Sequence, residues 1–296
     1  MNITVLSPSF SKNKKLQDEA YKYFPNAKLN LEGIKFNHAE LIEYIKDANA
    51  IIVGLDQINS DVLNKCQNLK VISKFGVGLN NIDLEACKKR NITIGWTGGV
   101  NKLSVAEMAL GLMLMFARNI YIASNELKTG NWNKSAGFQL SGKKVGIIGL
   151  GYTGKELVRL IKPFSCKIFA NDIIDQDEYY RENDIEKISK EEIFETCDFV
   201  TINTPHNSIT NNMVDINVLK SMKKTAYIIN IARGGIINEV DLKYALQNNI
   251  IAGAALDAYV EEPPTDQDFL KLPNLICTPH IGGNAKEAVE AMGMSA

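Results

Sequence analysis

The chain has 296 residues, with 33 Lys and Arg against 34 Asp and Glu and a net charge of −1. That length allows two ordinary domains with separate cores. Mixed charge without a basic block argues against a nucleic-acid partner, and five scattered cysteines with no C-x-x-C pair argue against a disulfide framework or a metal site.

The N-terminal residues Met1 to Leu6 read as a strand, without the charged and apolar regions of a signal peptide. Further apolar runs follow at Ala27–Leu31, Ala50–Val53, Val71–Ser73 and Ile92–Ile94. Helix-like stretches lie between them near Lys14–Tyr23, Ala39–Lys46, Asp61–Lys65 and Leu84–Lys89. This alternation predicts a parallel sheet covered by helices on both faces.

A long helix is expected over Ser104–Arg118, apolar nearly all round and so buried on several sides. Its most apolar stretch, Val105 to Ala117, contains Glu107 and is shorter than the roughly 20 residues of a bilayer span. No membrane partner and a cytoplasmic location are therefore expected. Thr129-Gly130-Asn131-Trp132 reads as a loop. The domain change is placed near Val100.

The strand–helix rhythm then resumes, with strands at Val145–Ile148, Lys167–Asn171, Phe199–Asn203, Ala226–Asn230, Gly253–Leu256 and Leu275–Thr278. The fold class is α/β, with two doubly wound parallel-sheet domains. The first of these strands runs into Gly149, Gly151 and Gly154 in G-x-G-x-x-G spacing, and a helical segment follows. Strand, glycine turn and helix in that order form a dinucleotide-binding entry. Gly149 allows the tight turn, Gly151 a close approach of pyrophosphate, and Gly154 close helix packing. Asp172 ends the next strand, placed to bond the ribose hydroxyls of NAD and repel the extra phosphate of NADP.

Ligands of doubly wound sheets bind at the carboxyl ends of the strands. Three such ends carry unusual residues: Arg233-Gly234-Gly235, then Asp257 through Glu261-Glu262-Pro263, then His280-Ile281-Gly282-Gly283. An arginine, a carboxylate and a histidine suit hydride exchange with a 2-keto acid. Arginine grips a carboxylate with two hydrogen bonds. Histidine moves the proton on the alcohol oxygen, and a carboxylate orients its ring. His206, after Pro205, competes for the acid role, and His38 is read as a surface residue.

These motifs resemble the D-isomer-specific 2-hydroxyacid dehydrogenases, and among them the phosphoglycerate dehydrogenase-like members. The carriers are Gly76-Val77-Gly78-Leu79-Asn80-Asn81-Ile82-Asp83, Ser104-Val105-Ala106-Glu107, the glycine turn, Asn230-Ile231-Ala232-Arg233-Gly234-Gly235, Leu256-Asp257, Glu262-Pro263 and Pro279-His280-Ile281-Gly282-Gly283. The resemblance implies a flavodoxin-like substrate domain (residues 1–99 with 285–296) and an inserted Rossmann NAD domain (residues 100–284). It implies Arg233 as the substrate-binding residue, His280 as the acid–base residue and Glu262, which directly precedes the proline, as its partner. Val77 and Gly78 would hold the substrate carboxylate through backbone N–H groups. Tyr152, Thr153 and Asp172 would contact NAD, and Thr204, Pro205, Ile231, Ala232, Asp257 and Gly283 would line the rest of the cofactor site, with Asp257 on the carboxamide. Homodimerisation through the NAD domain is also implied.

Three positions depart from the family pattern. Tyr152 stands where many members have arginine, and Asn80 where aspartate is frequent. The third is the segment Gly54-Leu55-Asp56-Gln57-Ile58, near which phosphoglycerate dehydrogenases tend to place an arginine for the substrate phosphate; this chain offers Asp56 there, with Lys74 as a candidate compensating cation. The expected function is hydride transfer between NAD(H) and a small 2-hydroxy or 2-keto acid, with D-3-phosphoglycerate among the candidates. The alternative is an NAD-sensing binding protein without turnover, as in the C-terminal binding protein corepressors. Formate dehydrogenases are a weaker match, since they tend to carry glutamine at the position of Glu262.

Overall fold

Short apolar runs bounded by polar turns become parallel strands. A computed structural model describes residues 1–135 and 137–296. It divides into one unit of Met1–Asn101 with Gly283–Ala296 and a second of Lys102–Gly282.

The first unit holds β1 (Ile3–Val5), β2 (Lys28–Leu29), β3 (Ala50–Val53), β4 (Val71–Lys74) and β5 (Thr93–Gly95), in the order β2-β1-β3-β4-β5. All pairs are parallel, and the order is flavodoxin-like. Polar caps start its helices: Asn37 and Glu40 form a reciprocal capping box, and Asn59 and Asp83 cap the next two. The expected strand over Ala27–Leu31 pairs only at Lys28–Leu29. Asn30 ends it, because its amide donates to Leu6 O and Ile34 O and accepts from Ile34 N–H, making a local turn. The C-terminal helix Lys286–Ser295 joins this unit through Met292 in its core. It lies so close that a Cβ at Gly293 would overlap the Leu16 side chain.

The second unit holds β6 (Lys144–Ile148), β7 (Lys167–Asn171), β8 (Ile185–Lys187), β9 (Phe199–Ile202), β10 (Tyr227–Asn230), β11 (Gly253–Leu256) and β12 (Leu275–Cys277). They lie in the order β12-β11-β10-β9-β6-β7-β8, all parallel. The chain builds outward from β6 to β8, then returns to the other side of β6 with β9. That reversal opens a crevice at the carboxyl ends of β6 and β9, the switch point where such sheets bind ligands. The central strands are buried on both faces, which explains their unbroken apolar runs.

The apolar helix spans Lys102–Ala117 and buries Ala106, Ala109, Leu112, Met113 and Phe116. The Phe116 ring stacks on Tyr227, and Tyr227 on Phe199, with centroids 4.6 and 5.2 Å apart. Such pairs add about 0.5–1.5 kcal/mol each beyond burial. Asn119, at φ +52°, ends this run, and a second helix, Ile120–Lys128, leaves at 62°. It buries no side chain, so the periodicity of a core-facing helix did not reveal it. Among the described residues, no single helix is long and apolar enough to cross a membrane.

Candidate functional site

The glycine turn sits at the β6–β9 switch point. Gly149 has φ +92°, and a Cβ there would lie 2.9 Å from the Asn203 carbonyl and the Thr204 methyl. Only glycine fits between the two strand tips. A Cβ at Gly154 would strike the Gly149 carbonyl, so the helix Tyr152–Ile161 descends directly onto the turn. Nothing crowds Gly151, the N-cap, and no side chain caps this helix. Its first-turn N–H groups, beginning at Tyr152 and Thr153, are therefore available to an anion. Tyr152 itself is exposed.

Asp172 closes the same turn. Its Oδ2 accepts from Leu150 N–H at 2.6 Å and its Oδ1 from Ile174 N–H at 2.8 Å. An ionised carboxylate accepts about four hydrogen bonds, so capacity for hydroxyl donors remains. Across the switch point, Thr204 Oγ1 and both polar atoms of the Asn203 side chain are buried without a partner among the described residues. A buried polar atom left unpaired costs about 1–3 kcal/mol. An open helix end, a glycine cradle and these unsatisfied groups fit a bound dinucleotide. Asn203 was not singled out from sequence, because an asparagine at a strand end reads as an ordinary turn residue.

The next strand ends carry Arg233, Glu262 and His280. After β10, Asn230 folds the loop by donating to Arg233 O and accepting from Ala232 N–H, with Ile231 buried between. Arg233 donates from Nη1 to Ala232 O at 2.7 Å. Burial pulls its guanidinium below the ordinary arginine value, and the Glu262 charge opposes that shift. A Cβ at Gly234 would coincide with the Tyr259 carbonyl, so the Arg233 loop touches the loop after β11 backbone to backbone.

That second loop carries Glu262. Tyr259 N–H donates to Glu262 Oε1 at 3.1 Å, and the Glu262–Pro263 peptide is cis. His280, after β12, places Nδ1 2.9 Å from both Glu262 oxygens. Of the two adjacent glutamates, only Glu262 meets the histidine; Glu261 accepts from Thr265 instead. A carboxylate oxygen accepts, so Nδ1–H donates to Glu262 and the ring's orientation is set by that bond. His206 bonds Asn211 at 3.0 Å and packs on Gly235. His38 pairs with Asp61 in the first unit.

Two supporting groups had no clear sequence signal. Glu239, in the first turn of the helix Glu239–Gln247, accepts from Val260 N–H at 2.7 Å. Burial raises its carboxyl above the ordinary range and the Glu262 charge adds to this. The Tyr259 hydroxyl shares its one proton between the Leu256 and Thr278 carbonyls, at 3.1 and 3.0 Å, tying the ends of β11 and β12 together. Pro205 accepts from Thr210 through its carbonyl.

Asp257 is nearly fully buried. Its carboxylate accepts from the Thr278 hydroxyl at 2.6 Å, Ile281 N–H at 2.8 Å and Gly282 N–H at 2.7 Å. Gly283 opens the second segment of the first unit, and a Cβ there would lie 2.6 Å from the Asn101 amide. The described residues contain no group of three or more His, Cys, Asp or Glu side chains able to hold a metal.

Residues 110–282 match the family described as D-isomer specific 2-hydroxyacid dehydrogenase, NAD binding domain. That match covers more than half of the chain. The chain belongs to this family. A D-3-phosphoglycerate dehydrogenase of Methanocaldococcus jannaschii is 39% identical over 258 residues, covering 86% of this chain and 49% of that protein. The human D-3-phosphoglycerate dehydrogenase is 36% identical over 266 residues, or 89% and 50% of the two chains. The chain thus spans about half the length of these curated relatives. Among solved structures, the NAD-dependent formate dehydrogenase of Staphylococcus aureus in complex with NAD aligns with a TM-score of 0.84 at 27% identity, over 100% of this chain and 93% of that one. As a member of the 2-hydroxyacid dehydrogenase family, the chain has NAD as its cofactor.

In the first unit, the family's glycine-rich segment after β4 passes through Gly76 at φ +121°, and Val77 O accepts from the Trp96 indole. Lys74 is buried, and its ammonium donates to Gly54 O and to Asn81 Oδ1. The Asn81 amide in turn holds Gly54 O and Asp56 O. The candidate compensating cation is thereby engaged in joining two loops of its own sheet.

Proposed function

We propose that the protein is an NAD-dependent dehydrogenase of small, unphosphorylated 2-hydroxy acids. The observation that carries this reading is the His280–Glu262 contact on adjacent strand ends of the nucleotide-binding sheet, with Arg233 beside it. NAD, when bound, supplies or accepts the hydride. Arg233 binds the acid's carboxylate and polarises the neighbouring carbonyl. His280 gives a proton from Nε2 to the oxygen during reduction and removes it during oxidation. Glu262 orients the ring and stabilises its charged form.

Around the cofactor, the Tyr152–Ile161 helix end takes the pyrophosphate and Asp172 the adenosine ribose. Ile173 and Ile174, both strongly exposed, offer an apolar face beside that ribose. Thr204, Pro205, Ile231, Ala232, Asp257 and Gly283 remain the assigned contacts for the rest. In the first unit, the backbone N–H groups of Val77 and Gly78 are of the kind that hold a carboxylate. The preference for an unphosphorylated acid rests on the carboxyl group of Asp56 in that loop and on the engagement of Lys74 with Gly54 and Asn81.

The exposed apolar side chains of Ile120, Leu127 and Trp132 support a homodimer built on the second unit. Five unpaired cysteines fit a reducing, cytoplasmic setting. No observation favours an NAD-sensing protein without turnover.

The test is a keto-acid panel with NADH. Glyoxylate, hydroxypyruvate or pyruvate should oxidise NADH faster than phosphohydroxypyruvate does. Failure of every acid to consume NADH would remove the dehydrogenase reading; preference for the phosphorylated acid would remove only the substrate class.

A further inference from the structure

We propose that Asp257 is a positioning residue that holds His280 in its working conformation. This rests on the reading of His280 as the acid–base group. His280 has φ +53°, a left-handed conformation uncommon for a non-glycine residue. Asp257 imposes it from both sides. The Thr278 hydroxyl before the histidine and the Ile281 N–H after it converge on Oδ1, while Gly282 N–H takes Oδ2.

The packing leaves little slack. A Cβ at Gly282 would lie 2.9 Å from Asp257 Oδ2, so the strap rests directly on the carboxylate. Gly282 O is fixed from the other side by the Ser104 hydroxyl at 2.6 Å, and Thr278 N–H is anchored on Leu256 O at 3.0 Å. An acceptor-only group is required where three donors converge. An asparagine would turn an NH2 group toward one of them. The residue one place after β11 thus sets the ring of a residue three places after β12.

Three variants test this: Asp257→Asn, Thr278→Val and Thr278→Ser. In 15N-labelled protein, Asp257→Asn should speed amide exchange at Ile281 and Gly282 by at least about ten-fold. The His280 Nδ1–H resonance held by Glu262 should broaden or vanish. On whichever keto acid the wild type reduces, kcat should fall about 30- to 100-fold, a larger factor than any loss of NADH affinity measured by fluorescence. Thr278→Val should move the same readouts by a smaller factor, and Thr278→Ser should restore them; this pair decides the matter where Asp257→Asn fails to fold. Unchanged exchange, or a persistent Nδ1–H signal, overturns the proposal whether or not the wild type turns over. So does a loss of NADH affinity with kcat intact, which would make Asp257 a cofactor contact alone. An inactive wild type with altered exchange would instead count against the dehydrogenase reading.

Discussion

His280 Nδ1 meets both oxygens of Glu262 at 2.9 Å, although the two residues follow different strands and lie 18 positions apart. Each side chain is about 40% exposed, so the pair sits at an accessible crevice and not in the core. The contact fixes Nδ1 as the ring nitrogen bonded to Glu262, and with it the orientation of the ring. Glu262→Gln keeps the size but removes the charge, and should lower kcat about 100-fold or more. His280→Ala should cost about 100- to 10,000-fold, while His206→Ala should stay within ten-fold. Steady-state kinetics on the responsive keto acid checks all three, and a large loss in the His206 variant would reverse the assignment.

Asp172 is bonded to the glycine turn itself through Leu150 N–H, so its replacement disturbs the turn as well as the proposed ribose contact. Asp172→Ser should weaken NADH binding about 10- to 100-fold, the worth of a charged hydrogen bond. It should also narrow the preference over NADPH to less than ten-fold. Fluorescence titration with both cofactors measures this; an undiminished NADH preference would move the discrimination elsewhere.

Gly234 lets the Arg233 loop lie on the Tyr259 backbone. Gly234→Ala forces those loops apart at a cost of about 1–3 kcal/mol or more. In a unit of this size that lowers Tm by about 2–12 °C. Calorimetry should show the drop, with kcat falling too, because Arg233 and Glu262 are carried by the separated loops. A variant with wild-type Tm would mean the loops are not in contact.

Burial pushes the Cys197 thiol up to about 11 and raises Cys66, Cys87, Cys166 and Cys277 as well. Native protein at pH 8 should therefore react slowly with a disulfide reagent, and denatured protein should release all five thiols. The folded state holds the Cys197 proton more tightly than the unfolded chain, whose thiol titrates near its ordinary 9.0. Its contribution to stability is full below pH 9 and declines as pH rises toward 11. Denaturant midpoints at pH 8, 9.5 and 11 should fall in that order, and Cys197→Ser should flatten the trend.

The Ile120–Lys128 helix buries no side chain within its own chain. If its apolar residues meet a second copy, Ile120→Lys with Leu127→Lys should shift the protein from dimer to monomer. Sedimentation equilibrium measures this, and a monomeric wild type would remove the dimer from the proposal.

Regular alternation and glycine spacing made every described strand but β8 legible, with the glycine turn and the loops that carry Arg233, Glu262 and His280, because each depends on residues close in sequence. Parallel strands buried on two faces must be apolar runs, and a turn pinched between strand tips must be glycine; those constraints are local and leave a local trace. Glu262 could be told from Glu261 only through family resemblance, since neighbouring glutamates in one loop have the same local signature. Tertiary structure alone decided that Glu262 faces His280, that Lys74 is engaged by Gly54 and Asn81, and that Asp257 grips the strap around His280. Those are contacts between the ends of different strands, set by strand order and by how far each loop folds back. Such distances are created when the sheet assembles, and no spacing along the chain encodes them.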